Sequence, residues 1–248
     1  MRPTDLLDLF VTASDAQRAA LAPLRATELR ARTDRPGQYA LDLVADAAVL
    51  DVLHRVPVAI VSEESGRSGP ADAPITVVVD PVDGSTNCSR RIPYWGISLC
   101  AVDADGPLCA LVVNTTTGEQ FSAVRGNGAH VNGTPLHAST VTRVEDSFVA
   151  VSSLPRPQPW KQFRALGSTA LALCDVAAGR VDAYLDSPRF EQAPWDYLGG
   201  LLACTESGAT VVDGRDRSLV VTDPNARRQV LAAATPELLE ALRAAVTA

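Results

Sequence analysis

The sequence ITVVVDPVDGSTN, residues 75–87, changes from apolar to acidic within one short stretch. Its first part is a continuous run of mostly β-branched residues, which predicts a strand buried on both faces of a sheet. Pro81 lacks an N–H group and fixes φ, so we expect the chain to leave the sheet there. Asp80 and Asp83 then stand at the strand end, before Gly84 and the hydroxyl residues of a short predicted helix. Carboxylates beside the N–H groups of a helix start indicate a place where divalent metal and phosphate meet.

The composition is typical of an ordinary globular protein. The 248 residues are 46% hydrophobic and 21% charged, and the net charge of −7 opposes nonspecific nucleic-acid binding. No apolar run approaches the roughly 18 residues that cross a bilayer, and Asp5 and Asp8 interrupt the N-terminus where a signal peptide needs an apolar stretch. The five cysteines are widely spaced and form no CxxC pair. We therefore expect buried thiols in a cytoplasmic protein, with no membrane or nucleic-acid partner.

Helices are expected before the central stretch. Residues 4–33 are predicted to be helical in two pieces, with Ser14 to Gln17 spaced as a capping box. A further helix is predicted over residues 41–54. Asp42 and Asp46 lie four residues apart on one face of that helix, where they are either solvated or directed into a cation site.

A second acidic motif precedes the central strand. The apolar residues 58–62 predict a short strand that runs directly into Glu63 and Glu64. A Gly/Pro/Ser/Asp-rich loop leads from there into the central strand, so we expect two neighbouring strands to deliver their acids to one edge. Asp196 adds another acid at a predicted helix start. Four acids at element ends suit Mg²⁺, whereas three histidines without HxxxH spacing are a poor fit to a zinc hydrolase.

The rest of the chain predicts a β meander followed by alternating helices and strands. The polar, proline-rich segment 141–159 is the best candidate for a change of domain, which divides the chain into residues 1–140 and 141–248. The predicted strands lie at 96–102, 108–114, 119–125, 181–186, 209–212 and 219–222. A glycine-rich hairpin is predicted over 125–133, and the later helices start near Gly167, Trp195 and Thr235.

Together these motifs resemble the inositol monophosphatase family of Mg²⁺-dependent, lithium-sensitive phosphomonoesterases. The resemblance covers roughly residues 40–234 in the family's order, and its acidic motifs are jointly very specific. It is carried by Glu63-Glu64-Ser65, by Asp80-Pro81-Val82-Asp83-Gly84-Ser85-Thr86-Asn87, by Gly126-Asn127-Gly128-Ala129 with Asn132-Gly133, by Gly167-Ser168-Thr169-Ala170-Leu171, and by Trp195-Asp196 with Gly199.

The resemblance implies a layered α/β fold, an αβαβα sandwich. Its N-terminal helices and mainly antiparallel sheet would carry most metal ligands, and a smaller α/β half would carry Asp196 and substrate contacts. It also implies a homodimer.

The same resemblance implies the metal ligands. Glu63, Asp80 and the backbone carbonyl of Val82 would bind a first Mg²⁺, and Asp80, Asp83 and Asp196 a second. A weaker third Mg²⁺ would lean on Glu63 through water, and Li⁺ would inhibit.

The catalytic and substrate-binding residues are implied as well. A metal-activated water near Glu63 and Ser85 would attack phosphorus in line, with Asp46 polarising the hydroxyl of Ser85. The substrate contacts would be the N–H groups of Gly84 and Ser85 on the phosphate, the pocket-lining Gly167, Ser168 and Thr169, and Glu191 on substrate hydroxyls.

The substrate remains open at this stage. A small phosphorylated polyol or sugar such as inositol monophosphate is favoured, while histidinol phosphate, fructose 1,6-bisphosphate and 3′-phosphonucleotides are alternatives on the same scaffold. A haloacid-dehalogenase-type phosphatase needs its two aspartates two residues apart, whereas Asp80 and Asp83 are three apart. A non-catalytic regulatory protein is a further alternative, which retention of all the clustered acids disfavours.

Overall fold

The central strand predicted from the sequence lies inside an eight-stranded sheet. The computed structural model describes residues 1–153, 158–187 and 191–247. Within these ranges the helices are α1 (Pro3–Leu21), α2 (Ala26–Leu29), α3 (Ala40–Leu53), α4 (Ser85–Arg90), α5 (Thr169–Ala177), α6 (Pro194–Ser207) and α7 (Pro236–Thr247). The strands of the first sheet are β1 (Ala59–Ser62), β2 (Gly66–Ser68), β3 (Thr76–Asp83), β4 (Gly96–Asp103), β5 (Gly106–Asn114), β6 (Gln120–Val124), β7 (Ala129–Val131) and β8 (Thr134–Pro135), in the order β2-β1-β3-β4-β5-β6-β7-β8.

A second sheet has five strands. They are β9 (Phe148–Val151), β10 (Gln162–Arg164), β11 (Ala183–Leu185), β12 (Thr210–Asp213) and β13 (Val230–Ala233), in the order β10-β9-β11-β13-β12. Two predictions were wrong in this region. Residues 219–222 do not form a strand, and β9 lies inside the segment 141–159 that was expected to be a polar connection. The division into residues 1–140 and 141–248 stays a prediction.

The helices lie in three layers, which the two sheets separate. Val77 and Val79 point to the face that α1 and α3 cover, whereas Val78 between them points to α5 and α6. Tyr184 of the second sheet packs into the same core as Val78, so α5 and α6 lie between the two sheets. Leu238 of α7 covers the far face of the second sheet. The order helix, sheet, helix, sheet, helix confirms the predicted αβαβα sandwich.

The central strand does not end at Pro81, as the sequence suggested. β3 pairs with β4 as far as Asp80 opposite Ser98, loses register, and pairs again at Asp83 opposite Gly96. The irregularity accommodates Pro81, which has no N–H for the ladder, without removing the strand from the sheet. As a result, Asp80 and Asp83 belong to one strand that bulges between them.

The expected neighbouring strands are confirmed. β1 lies parallel to β3 with Ser62 opposite Val79, and the N–H of Glu63 donates to Val79 O over 3.2 Å. Parallel neighbours bring their carboxyl ends to the same edge of a sheet, so the residues that follow β1 come close to Asp80.

The predicted capping box near the N-terminus is wrong. α1 is continuous from Pro3 to Leu21, and both Ser14 and Gln17 are buried inside it. The last helix starts near Thr235 as predicted, and Thr235 caps it, because the N–H of Leu238 donates to Thr235 Oγ1 over 3.2 Å. The five cysteines are buried free thiols, as expected. Among the helices of the described ranges, none has the length and apolar character of a membrane span.

Candidate active site

Three carboxylates from three separate elements meet at the edge of the first sheet. Glu63 follows β1, Asp80 lies in β3, and Asp196 lies in the first turn of α6. One carboxylate oxygen of each lies within 4.8 Å of those of the other two. Oxygen atoms so close together, on hard anionic side chains, form the kind of donor set that a divalent cation such as Mg²⁺ requires.

The carboxylates of Asp80 and Asp196 accept hydrogen bonds from backbone N–H groups. Besides the bond from the Glu63 N–H to β3, the N–H of Val82 donates to Asp80 Oδ1 over 2.9 Å. The N–H of Ala193 donates to Asp196 Oδ2 over 2.6 Å, across the first turn of α6. Because these donors belong to the bulge and to a helix start, the local backbone fixes where the carboxylates point.

The electrostatics of the group favour a cation. Burial, with repulsion from Glu64, raises the pKa of Glu63 to about 7. Burial and the neighbouring acids also raise the pKa of Asp80 and of Asp196 well above the ordinary value. In the parts of the chain that the structure describes, no lysine or arginine pairs with these three carboxylates. Clustered acids without a basic partner are stabilised by a bound dication, so the residues present fit Mg²⁺.

Asp83 lies beside this group, but one of its oxygens faces α5. Ser168 Oγ donates to Asp83 Oδ2 over 2.6 Å, and the N–H of Ala170 donates to the same oxygen over 2.7 Å. Burial raises the pKa of Asp83 to about 6 although these hydrogen bonds oppose the change. Its charge in turn contributes to the raised pKa of Asp80 and of Asp196. The structure thus brings Asp83 to the site without placing it among the three closest acids.

The acid next to Ser85 is Asp42 rather than Asp46. Asp46 Oδ1 accepts a hydrogen bond from Ser62 Oγ over 2.5 Å, which ties α3 to the end of β1. The Ser85 hydroxyl instead faces Asp42, where it opposes the rise in the pKa of Asp42 that burial causes. Asp42 Oδ1 is buried and has no hydrogen-bond partner among the described residues. These contacts favour Asp42, one helical turn earlier, over Asp46 as the acid beside Ser85.

The turn after β3 is tightly packed. Ser85 Oγ donates to Val82 O over 2.9 Å, so the carbonyl that was expected to bind metal already accepts one hydrogen bond. A carbonyl oxygen has two lone pairs, which leaves one for a further partner. Gly84 has φ +97°, and an added Cβ there would lie 3.0 Å from the Trp95 side chain and 3.1 Å from Gly167 O. Only glycine fits this position without strain.

A cavity of about 410 Å³ opens beside Asp83. The residues expected to contact substrate, Gly167, Ser168 and Thr169, lie on its wall. Tyr184 and Gln192 also line it, among other residues. Thr169 Oγ1 and the Tyr184 hydroxyl are 2.9 Å apart, so hydrogen-bonding groups of two elements meet at the cavity wall.

Glu191 is not among the described residues that line this cavity. Its carboxylate pairs with Arg217 over 2.8 Å and with Arg215 over 3.2 Å. Gln192 faces the cavity instead, and its Nε2 donates to Asp186 Oδ1 over 2.9 Å. Sequence reasoning missed Asp186, although it is the last acid of a strand-like alternation and directly follows a strand, as Glu63 does.

The chain is similar in sequence to known proteins over most of its length. The sequence model described as the Inositol monophosphatase family matches residues 30–248. The chain is 30% identical over 227 residues to a protein of Escherichia coli K12 named Nus factor SuhB, covering 82% of this chain and 84% of that protein. It is 32% identical over 213 residues to a fructose-1,6-bisphosphatase/inositol-1-monophosphatase of Archaeoglobus fulgidus, covering 82% and 83%.

A solved structure shows the same fold. A hypothetical protein from Pyrococcus horikoshii, described as having similarities to inositol-1 monophosphatase, superposes with a TM-score of 0.88 at 23% identity, over 98% of this chain and 99% of that one. The family match includes both acid-bearing strands, the turn after β3 and the helix that carries Asp196. This chain belongs to the inositol monophosphatase family.

Proposed function

We propose that this protein is a Mg²⁺-dependent phosphatase that hydrolyses a small phosphomonoester of a polyol or sugar. The observation that carries the proposal is the meeting of Glu63, Asp80 and Asp196 within 4.8 Å, beside a cavity of about 410 Å³. Membership of the family supports phosphatase chemistry in general. The substrate class is our inference from the cavity.

The metal would be held by the clustered acids. Glu63, Asp80 and Asp196 are the nearest oxygen donors, and Asp83 and the carbonyl of Val82 complete the proposed set. When bound, Mg²⁺ would supply two effects, neutralisation of phosphate charge and a lowered pKa of water at neutral pH. We also propose that Li⁺ inhibits, as the resemblance implied.

The chain's own groups would bind the phosphate and move the proton. The first N–H groups of a helix have no partner within it, so those of Gly84 and Ser85 at the start of α4 are available to phosphate oxygens. Glu63, which lies in the acid cluster, would accept the proton of the attacking water. Asp42, buried beside Ser85, would compete with Val82 O for the one proton of the Ser85 hydroxyl.

The cavity favours a small substrate that carries hydroxyl groups. Its volume is close to the lower end of ordinary ligand pockets, and the polar residues Ser168, Thr169 and Gln192 are among those that line it. Gln192 donates from Nε2 to Asp186, which turns its amide oxygen toward other donors. We propose that this oxygen accepts from a substrate hydroxyl, the role first given to Glu191.

The test is an assay of phosphate release against a panel of phosphomonoesters. The panel contains inositol 1-phosphate, fructose 1,6-bisphosphate, histidinol phosphate and a 3′-phosphonucleotide, each with Mg²⁺, with Mg²⁺ and Li⁺, and with EDTA. We expect hydrolysis of a polyol or sugar phosphate that EDTA abolishes and Li⁺ reduces. Absence of Mg²⁺-dependent hydrolysis of every compound would refute the proposal, and preference for histidinol phosphate or the nucleotide would correct the substrate class.

A regulatory role is a second candidate, which the name of one group of relatives favours. Those proteins are called Nus factors and are about as similar to this chain as the named phosphatases are. A purely regulatory protein would retain its biological effect when the acids are neutralised. An Asp196→Asn variant that complements a deletion of the gene while releasing no phosphate would favour regulation.

The proposal extends to the assembly and the location of the protein. We propose a homodimer, as the resemblance implied, and light scattering of the purified protein would show it. We propose a cytoplasmic location because the five cysteines are buried free thiols, as a reducing compartment allows. Fractionation of cells with a tagged chain tests the location.

A further inference from the structure

One side chain of α1 reaches the bulge of β3. Gln17 is fully buried, and its Nε2 donates to Pro81 O over 2.7 Å, across 64 positions of sequence. Its Oε1 accepts from Thr115 Oγ1 over 3.1 Å. Pro81 O is an acceptor and cannot donate, so the amide must present its NH₂ group to the bulge.

The bond acts on the peptide unit that holds Asp80. Pro81 O and the N–H of Val82 belong to the same planar peptide, and in a trans peptide they point to opposite sides. Gln17 holds the oxygen of this unit, and Asp80 Oδ1 accepts from its N–H over 2.9 Å. Rotation of the peptide away from Gln17 would therefore also turn the donor away from the Asp80 carboxylate.

The β ladder gives this peptide little support. The pairing of β3 with β4 is interrupted between Asp80 and Asp83, where Pro81 and Val82 have no register partner. On its other side Gln17 is anchored through Thr115, whose own N–H donates to Trp95 O over 3.2 Å. Gln17 of α1, anchored by Thr115, thus fixes the orientation of the Pro81–Val82 peptide, which the β ladder does not fix.

We propose that Gln17 is a positioning residue of the metal centre. It orients the Pro81–Val82 peptide, and through the Val82 N–H it orients Asp80 toward Glu63 and Asp196. The inference rests on the proposed Mg²⁺ site and adds a residue that lies outside the part of the chain matched by the family, residues 30–248. Outer partners of metal ligands commonly change metal affinity about 10- to 100-fold when removed.

The test compares Gln17→Leu with two matched variants. Leucine has a similar volume and no donor, so it removes the bond to Pro81 O while it continues to fill the site. Thr115→Val removes only the anchor, and Ser14→Ala alters another buried polar residue of the same helix, three positions away. Should Gln17→Leu fail to fold, Gln17→Met, which is unbranched and also lacks a donor, takes its place.

Two measurements are made on each protein. NMR amide exchange in the metal-free protein reports on the Val82 N–H, and calorimetry reports the dissociation constant of Mg²⁺. We expect Gln17→Leu to accelerate Val82 exchange at least about tenfold and to weaken Mg²⁺ binding about tenfold. Thr115→Val should have a smaller effect in the same direction, and Ser14→Ala should change neither quantity beyond its effect on global stability.

The outcomes separate the two proposals. Parent-like Val82 exchange and Mg²⁺ affinity in the folded Gln17 variant would overturn the positioning role, even if its melting temperature falls. If the parent itself binds no Mg²⁺, the proposed function fails. In that case unchanged Val82 exchange refutes the role of Gln17 in orienting the peptide, and accelerated exchange supports that orientation alone.

Discussion

Ser168 Oγ donates to Asp83 Oδ2 over 2.6 Å, and this bond joins the end of β3 to the start of α5. The contact crosses from the first sheet to the helical layer between the sheets. It determines which way the Asp83 carboxylate faces, because Ala170 N donates to the same oxygen. Ser168 of the cavity wall is therefore linked directly to Asp83 of the proposed metal site.

Replacement of Ser168 by alanine should lower activity more than stability. Asp83 would lose its shortest donor, its pKa would rise further, and its carboxylate would be free to turn. We expect kcat/KM for the best substrate of the panel to fall about 10- to 100-fold, with a stability loss of about 1 kcal/mol because Ser168 also caps α5. Ser168→Thr, which keeps the hydroxyl, is the control and should retain most activity. Equal kinetics for Ser168→Ala and the parent would show that the bond is dispensable.

Neutralising an acid of the cluster should stabilise the metal-free protein. Burial and the neighbouring acids raise the pKa of Asp80, which means that its ionised form is disfavoured in the fold at neutral pH. Asp80→Asn removes this repulsion, so we expect a higher melting temperature in EDTA. The parent should gain about 2.7 kcal/mol when Mg²⁺ is at 100 times its dissociation constant, and the variant should gain much less.

The control for this measurement is Asp8→Asn, which removes an exposed acid of α1. It should leave both the melting temperature in EDTA and the gain with Mg²⁺ unchanged. A lower melting temperature of Asp80→Asn in EDTA would contradict the repulsion that we describe.

We expect Asp42 to be needed for turnover and Asp46 to be needed for stability. Asp42→Asn alters the buried carboxylate beside Ser85, and we expect turnover to fall about 100-fold with little loss of fold. Asp46→Asn weakens the bond to Ser62, and we expect a stability loss of about 1 to 2 kcal/mol with turnover close to that of the parent. Steady-state kinetics and urea unfolding of both variants check the contrast, which the reverse ranking of turnover would disprove.

Asp213 should contribute stability that is lost in acid. Burial raises its pKa, but hydrogen bonds from the Arg217 side chain and from backbone N–H groups outweigh burial and lower the pKa to about 2. The folded-state pKa lies below the unfolded value of about 3.9, so the contribution is complete above that pH and disappears as pH falls toward 2. Asp213→Asn should lose about 2 kcal/mol at pH 6 and far less near pH 2.

Urea unfolding of the parent and of Asp213→Asn at several pH values measures this difference. Asp216→Asn is the control, because Asp216 is exposed and pairs with Arg243 at the surface. A difference between the parent and Asp213→Asn that stays constant from pH 6 to pH 2 would exclude the assigned cause.

Local signals were sufficient for the acids that stand at strand and helix ends. The apolar runs before Glu63 and before Asp80 predicted two neighbouring strands, and their parallel pairing brings the two acids together. Asp196 was predicted to lie at a helix start, and it lies in the first turn of α6. Short-range sequence patterns predict these positions, because parallel neighbouring strands end at the same edge of a sheet and helix starts have their own local signals.

The remaining positions depend on contacts that no local pattern records. Asp42 and Asp46 lie on one face of α3. Which of them is near Ser85 depends on the position of α3 along its own axis, and the sequence does not show that position. Glu191 was assigned to substrate because it precedes Trp195, but two arginines more than twenty positions later pair with it. The spacing of Ser14 and Gln17 fitted a capping box because the pattern carries no information about the distant bulge.

The link between Gln17 and Pro81 bears on how the chain can be shortened. A version trimmed to start at residue 30 would keep every acid of the site and the whole family-matched region. It would also lose all of α1, and with it the donor that holds the Pro81–Val82 peptide. Because α1 also covers one face of the first sheet, truncation to the family-matched part would expose that face as well as remove the support of the proposed metal site. A shortened version of this protein should therefore begin before α1.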